Sequence, residues 1–213
     1  MIHDIDNPVG AEFFDIPRRD AAPIVFSAAV ISRRKNTVAL VEAAALLRRA
    51  DVPFQLRLAG PIVEPEYGRR VADRIAALAL GEHVQCLGSL PSEQVQEELA
   101  RAQAFALVSR EENSPLGIEE AMAAGVPVVT SNRCGMPYMV RDRETGFLVD
   151  PEDPADIARA LAAVLRDPDR RAAMSERSRA VARDRFHPDR VAARTVAVYD
   201  RAAGADAAVV SGR

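Results

Sequence analysis

Cysteine, histidine and lysine are all scarce in this chain of 213 residues. It holds two cysteines, Cys86 and Cys134, three histidines and a single lysine, Lys35. Two isolated cysteines make neither a disulfide framework nor a metal-ligand pattern. No apolar run approaches the ~20 residues needed to span a bilayer. The opening MIHDIDNP carries acids where a secretory leader needs a basic region and an apolar core. Cytoplasmic residence is the default expectation. A large excess of either charge is missing too: 28 basic against 31 acidic residues leave −3, with a pI near 5.7. Broad electrostatic capture of nucleic acid is therefore not expected. A small anion held by a few local donors stays compatible.

What is present is the composition of a soluble globular protein, 48% hydrophobic and 28% charged. That excludes a disordered or fibrous chain. The length suits one domain with a complete core and room for a small appendage. The 28 basic residues are 27 arginines and Lys35. A guanidinium is a planar fork and an ammonium a compact point charge, so a tight phosphate contact is one place where the exchange would fail. Chance survival of a surface lysine is the other explanation.

Strand-like and helix-period segments alternate along the chain. Strands are expected over 24–31 (IVFSAAVI), 54–60 (FQLRLAG), 84–87, 105–108, 127–130 (PVVT) and 147–149. Between them, Asn36 or Thr37 can cap a helix carrying Val38, Val41, Ala45 and Leu47. Val71, Ile75 and Leu78 repeat as a helix, and Ser92 caps another with Val95 and Leu99 inward. Residues 116–124 form a helix ended by Gly125. Three more helices follow, opened by Asp153-Pro154, Asp167-Pro168 and His187-Pro188. Alternation of this kind implies βαβ units and right-handed crossovers. The fold expected is α/β: a Rossmann-like, doubly wound parallel sheet of about six strands with extra C-terminal helices. The expected organisation is a short leading segment over 1–20, the α/β domain over 21–203 and a frayed tail over 204–213.

With strand order 3-2-1-4-5-6, the first and fourth strands are neighbours at the topological switch point, where ligands of such sheets bind. Ser32-Arg33-Arg34-Lys35-Asn36 follows the first strand. SREENSPLGI, 109–118, follows the fourth and leads into a helix holding Glu119 and Glu120. Lys35 and Glu112 then face one crevice, with the N–H groups of a helix start beside them as an anion site. Carboxylates there suit hydroxyl groups. Anion donors beside hydroxyl acceptors describe a sugar phosphate or a nucleotide sugar.

ENSPLGIEEAMAAGVPVV, 112–129, resembles the E-x7-E signature of retaining family 4 glycosyltransferases, enzymes of the two-domain GT-B fold. Glu111 and Glu119 share the spacing, but the flanking EAMAAGVPVV assigns it to Glu112 and Glu120. NPVGAEFFDIP is similar to the family's interdomain connector, and Arg34-Lys35-Asn36 to its lysine loop. LRLAGPIVEPEY, VQCLGSLPSEQV and GFLVDPEDPADIA resemble further family segments in the same order.

The resemblance implies roles. Glu112 contacts the donor sugar. Glu120 binds the ribose hydroxyls, with Glu119 beside it an exposed helical glutamate. The backbone of Asn113, Ser114, Pro115 and Leu116, with N–H groups at all but Pro115, faces sugar and phosphate. Lys35 holds the diphosphate and stabilises the leaving nucleotide. The substrate is a nucleoside-diphosphate sugar, with no cofactor and no metal. Two positions depart from the family. Val30 stands where an arginine often binds the diphosphate, leaving Arg33 or Arg34 to substitute. Tyr138 stands where glutamate is common. His83 and His187 read as structural.

The resemblance covers the donor-binding half of the family. The expected function is that half of a retaining glycosyltransferase, with the N-terminal, acceptor-binding domain missing and the chain inactive without it. A non-catalytic nucleotide-sugar-binding or interaction module is the alternative. A nucleotide-sugar epimerase half is a third reading, against which E-x7-E with EAMAAG counts. The 187–203 helix, with Val191, Thr195, Val198 and Tyr199 along one side, is expected to meet an N-terminal half or a second copy, or to dock on its own core.

Overall fold

The computed structural model describes residues 3–19 and 22–210, with side chains as far as 203. Six strands form one sheet: β1 Ile24–Ala28, β2 Gln55–Ala59, β3 Val84–Gly88, β4 Ala102–Leu107, β5 Val128–Ser131 and β6 Gly146–Val149. Their order is β3-β2-β1-β4-β5-β6, all neighbours parallel. The helices are α1 Thr37–Arg49, α2 Pro65–Ala77, α3 Ser92–Arg101, α4 Leu116–Ala123, α5 Met136–Met139, α6 Pro154–Leu165, α7 Pro168–Arg185 and α8 Pro188–Val210. This is the doubly wound α/β sheet expected.

A parallel sheet buried on both faces needs apolar side chains pointing both ways. Along β4, Ala104, Ala106 and Val108 point into one core with α1, α2 and α6. Phe105 and Leu107 alternate into the other, which holds Ile118 and Met122 of α4, Met136 and Phe186. Across the β1–β4 junction Phe26 pairs with Phe105, rings 6.1 Å apart and edge-on.

The segment expected as a connector packs on this second core. A 3-10 turn over Ala11–Asp15 buries Phe13 and Phe14 beside α4. The Val9 N–H donates to the Phe186 carbonyl at 2.9 Å, and the Arg19 N–H to that of Ala100 at 2.9 Å. Asp153 and Asp167 cap α6 and α7 through their side chains, as expected. Two capping expectations are corrected. Ser92 lies inside α3 with Pro91 at the cap, and its hydroxyl accepts from Gln96 instead. Asn36 stands at the cap of α1 with left-handed φ of 59°, yet its amide leaves the helix to bond the carbonyls of Val108 and Pro151. α8 as bounded, Pro188–Val210, takes in most of the expected 204–213 tail. Residues 211–213 of that expected tail lie outside the described residues. Among the described residues no helix is long and apolar enough to cross a membrane.

Candidate functional site

β1 and β4 lie side by side, so the loops leaving their C-terminal ends meet. Four hydrogen bonds hold the first of them. The buried Asn36 side chain ties it to the β4 and β6 exits. The Arg110 N–H donates to the Arg34 carbonyl at 2.9 Å, and the Arg110 guanidinium to that of Arg33 at 2.7 Å. Lys35 is thereby set facing the β4–α4 loop. Its Nζ lies 2.5 Å from Glu112 Oε1, with both side chains almost entirely covered. Arg34 reaches the same oxygen at 2.6 Å and the Glu111 carbonyl at 3.0 Å. The convergence of Lys35 and Glu112 expected from strand order is present, and Arg34 joins it.

Asn113, Ser114 and Pro115 lead into α4. Pro115 stands at the cap position and no side chain caps the helix. Leu116 is half exposed at the first turn. The positive end of α4 thus opens beside Lys35. Gly117 lets α4 come in close: a Cβ there would sit 3.3 Å from the Ala28 carbonyl at the end of β1. Gly135 does the same from the β5–α5 loop, its N–H donating to the Glu112 carbonyl at 2.8 Å.

Glu120 is partly buried on α4. Burial, then the nearby Glu12 carboxylate, push its carboxyl up to about 7. Glu119 corrects the expectation that it is exposed: it is completely buried. The cause is tertiary. The 3-10 turn and α7 cover the side of α4 turned away from the sheet. Ser114 Oγ donates to Glu119 Oε1 at 2.6 Å. Burial dominates here too, raising the carboxyl to about 7 against the lowering effect of that hydrogen bond.

Sequence reasoning missed an apolar recess of about 190 Å³ beyond β1, β2 and β3. Ala28, Ala29, Val30, Gly60, Pro61 and Leu90 are among its walls. A signal was there: three strands end in small residues, Ala28-Ala29, Ala59-Gly60 and Gly88-Ser89. Gly60, at φ of +134°, passes so close to the Ala29 carbonyl that a Cβ would fall 2.0 Å from it. Ala29 and Ala59 also line the space beside Lys35, so recess and lysine adjoin. Val30 is therefore recess wall. Of the two arginines offered in its stead, Arg34 is in the site, while Arg33 turns to Glu64 at 3.6 Å. A larger cavity of about 290 Å³ at the start of α1 includes neither Lys35 nor Glu112, and its Arg110 is already paired with Glu152 at 2.7 Å.

Tyr138 is exposed on α5. His83 and His187 rest against Phe54 and Phe14, and the His187 ring accepts the Asp189 N–H at 3.4 Å. Among the described residues no group of three or more His, Cys, Asp or Glu side chains is placed to hold a metal ion.

The arrangement offers clustered cations and a helix N-terminus for an anion, carboxyls for hydroxyl groups and an apolar slot alongside. Comparisons with known proteins agree in kind. Residues 10–181 match the family model for glycosyl transferases group 1. A GDP-mannose-dependent alpha-(1-6)-phosphatidylinositol monomannoside mannosyltransferase of Mycolicibacterium smegmatis is 33% identical over 174 residues, 77% of this chain and 44% of that protein. The Anabaena protein Alr3699/HepE, solved with UDP and glucose, superposes with a TM-score of 0.77 at 23% identity, over 84% of this chain and 48% of the other. The C-terminal domain of a glycosyl transferase group 1 family protein (LpcC) from Francisella tularensis superposes at 0.72 and 17% identity, over 86% of this chain and 97% of that one. The chain spans less than half the length of the curated relatives it matches. By sequence and by fold, this chain belongs to the glycosyl transferases group 1 family.

Proposed function

We propose that this domain binds the nucleoside-diphosphate sugar donor of a retaining glycosyltransferase. The observation that carries the reading is the meeting of Lys35 and Glu112 at the β1–β4 junction, beside the N-terminus of α4. In this reading the base lies in the apolar recess. The diphosphate is held by Lys35, Arg34 and the backbone of Asn113–Leu116. Glu120 accepts the ribose hydroxyls and Glu112 those of the sugar. Lys35 leaves Glu112 for the diphosphate and stabilises negative charge on the departing nucleotide, with no metal assigned. The acceptor attacks the sugar face that the nucleotide leaves, which retains configuration.

The neighbours solved with UDP and the GDP-mannose-dependent relative name the two donors to try. Either UDP-glucose or GDP-mannose is expected to raise the melting temperature of the chain, because only the folded state binds it. By calorimetry, Lys35→Ala should weaken that donor roughly tenfold, as loss of a charged hydrogen bond. Arg34→Ala should cost a few-fold, its side chain being half exposed and screened. Arg33→Ala should leave affinity unchanged. If Lys35→Ala binds as wild type does, the diphosphate is held elsewhere.

Transfer is proposed to need an acceptor-binding half as well. Residues 1–213 alone are expected to release nucleoside diphosphate from the donor only slowly, since positioning of the second substrate supplies much of the rate of a two-substrate reaction. Rapid transfer to added inositol or glycerol would show an acceptor site within this domain. The face for the other half is α8. Val191 docks on the domain, while Val196 and Tyr199 further along are more than half exposed. Val30, apolar where the resemblance implies arginine, favours the second reading, a nucleotide-sugar-binding module without catalysis.

A further inference from the structure

We propose that Glu119 is a positioning residue for the donor loop: buried behind α4, its carboxyl holds the Ser114 hydroxyl and so fixes the backbone of Asn113–Leu116. The proposal rests on the reading of that loop as the diphosphate contact.

A fully buried glutamate is costly unless something is gained by keeping it polar. Its neighbours on α4, Ile118, Ala121, Met122 and Ala123, are apolar and equally buried, so packing alone does not call for a carboxyl. Among the described residues Glu119 makes one hydrogen bond, the 2.6 Å bond from Ser114 Oγ, and its Oε2 is buried without a hydrogen-bond partner. Among the described residues no counter-ion pairs with it directly. Arg185 of α7 is the cation that bears on it, and that guanidinium is engaged elsewhere: Nε and Nη2 donate to Asp6 at 3.2 and 2.7 Å, and Nη1 to the Tyr138 carbonyl at 2.5 Å. Asp6 and Glu120 are the acidic groups that bear on it, and both favour its neutral form. The one partner, Ser114, lies in the loop that leads into α4.

That loop needs an anchor. The cap position of α4 is Pro115, which has no side-chain acceptor for the helix N–H groups. Ser114, one residue earlier, is tied instead to the first turn of its own helix. The bond spans five residues and closes the bend through Pro115, fixing how the backbone from Asn113 to Leu116 is presented. An ionised Glu119 would place a negative charge behind the site that receives the diphosphate. Burial holds the carboxyl neutral up to about pH 7. Donor binding should therefore weaken as pH rises through that range.

Two measurements test the role on the full chain. Without ligand, hydrogen exchange of the peptide covering 112–118 should quicken in Ser114→Ala and in Glu119→Ala, and stay at the wild-type rate in Glu119→Gln, which keeps an acceptor for Ser114. With UDP-glucose and GDP-mannose at pH 6, Ser114→Ala and Glu119→Ala should each weaken the bound donor about three- to tenfold. The double variant should be no worse than either single one, the signature of one shared interaction. Glu119→Gln should restore affinity to within about twofold of wild type. Between pH 6 and 8.5 it should lose less affinity than wild type does, Glu120 being common to both. If Glu119→Ala does not fold, Ser114→Ala and Glu119→Gln still give both readouts. Additive losses, an amide variant as weak as the alanine one, or unchanged exchange in Ser114→Ala would overturn the positioning role. If neither donor binds wild type, the donor-site reading fails, and the exchange result still decides whether Glu119 orders the loop.

Discussion

Gly135→Ala is expected to damage stability and donor binding together. The backbone of Gly135 is ordinary, at φ of −78°, so alanine meets no conformational penalty there. The obstacle is space. A Cβ would lie 1.6 Å from the Asn113 carbonyl oxygen and 2.9 Å from the Asn113 Cα. Backbone cannot swing aside as a side chain tip can. Relief requires the β5–α5 loop to part from the β4–α4 loop, breaking the hydrogen bond from the Gly135 N–H to the Glu112 carbonyl. Overpacking of this severity costs about 3 kcal/mol, the upper part of its usual range. The displaced segment holds Glu112 and Asn113, so affinity for UDP-glucose or GDP-mannose should fall at least tenfold as well. Urea unfolding and calorimetry read the two effects. Gly81→Ala is the control, since nothing lies within 4 Å of its added Cβ. Wild-type unfolding and wild-type affinity in Gly135→Ala would show that the two loops separate at no cost.

That contact shows where sequence reasoning stops. Strand positions were legible because the β-segments are short apolar or alternating runs. The strand order of a doubly wound sheet, once assumed, brings Lys35 and Glu112 together. Those inferences use local pattern plus topology. Glu119 needed more. Within LGIEEAMA its helical position does not distinguish core from solvent, because α4 is covered on its outer side by a turn more than 100 residues earlier in sequence and by a helix some 50 residues later. Asn36 is a similar case. Its residue type signals a cap, and its position agrees. Its amide is nevertheless drawn to Pro151, 115 residues away, because three loops converge on it. The 3-10 turn and the one-turn α5 were too short for any periodicity to register. Gly135 carries no local signal at all: its need for hydrogen at Cα comes entirely from a carbonyl on another loop.

The two adjacent carboxyls of α4 should make the protein less stable as pH rises from about 4.5 to 7. Both Glu119 and Glu120 go from an ordinary value of 4.5 to about 7 in the folded chain, chiefly through burial. Below about pH 4.5 they are protonated in folded and unfolded states alike and add no pH dependence. Above that, the unfolded chain releases protons that the native state keeps. The native state then binds more protons, so the unfolding free energy falls as pH increases, by up to about 1.4 kcal/mol per pH unit for each group. The loss is complete above about pH 7 and amounts to about 3 kcal/mol for Glu119. Glu120 keeps some contact with solvent, and its share is smaller. Glu152 works the other way and at lower pH: its hydrogen bond to Arg110 lowers its carboxyl, so its contribution grows as pH rises toward the ordinary value and is constant above it. That group is exposed, and solvent screening leaves it the weaker influence. Urea unfolding followed by circular dichroism from pH 5 to 8 measures the net slope. Glu119→Gln carries no titrating group at this position. It should fall less steeply than wild type, ending more stable by about 3 kcal/mol at pH 8 relative to their difference at low pH. Parallel profiles for the two proteins would mean that Glu119 ionises normally in the folded chain, and the burial of its carboxyl would then have no consequence for proton binding.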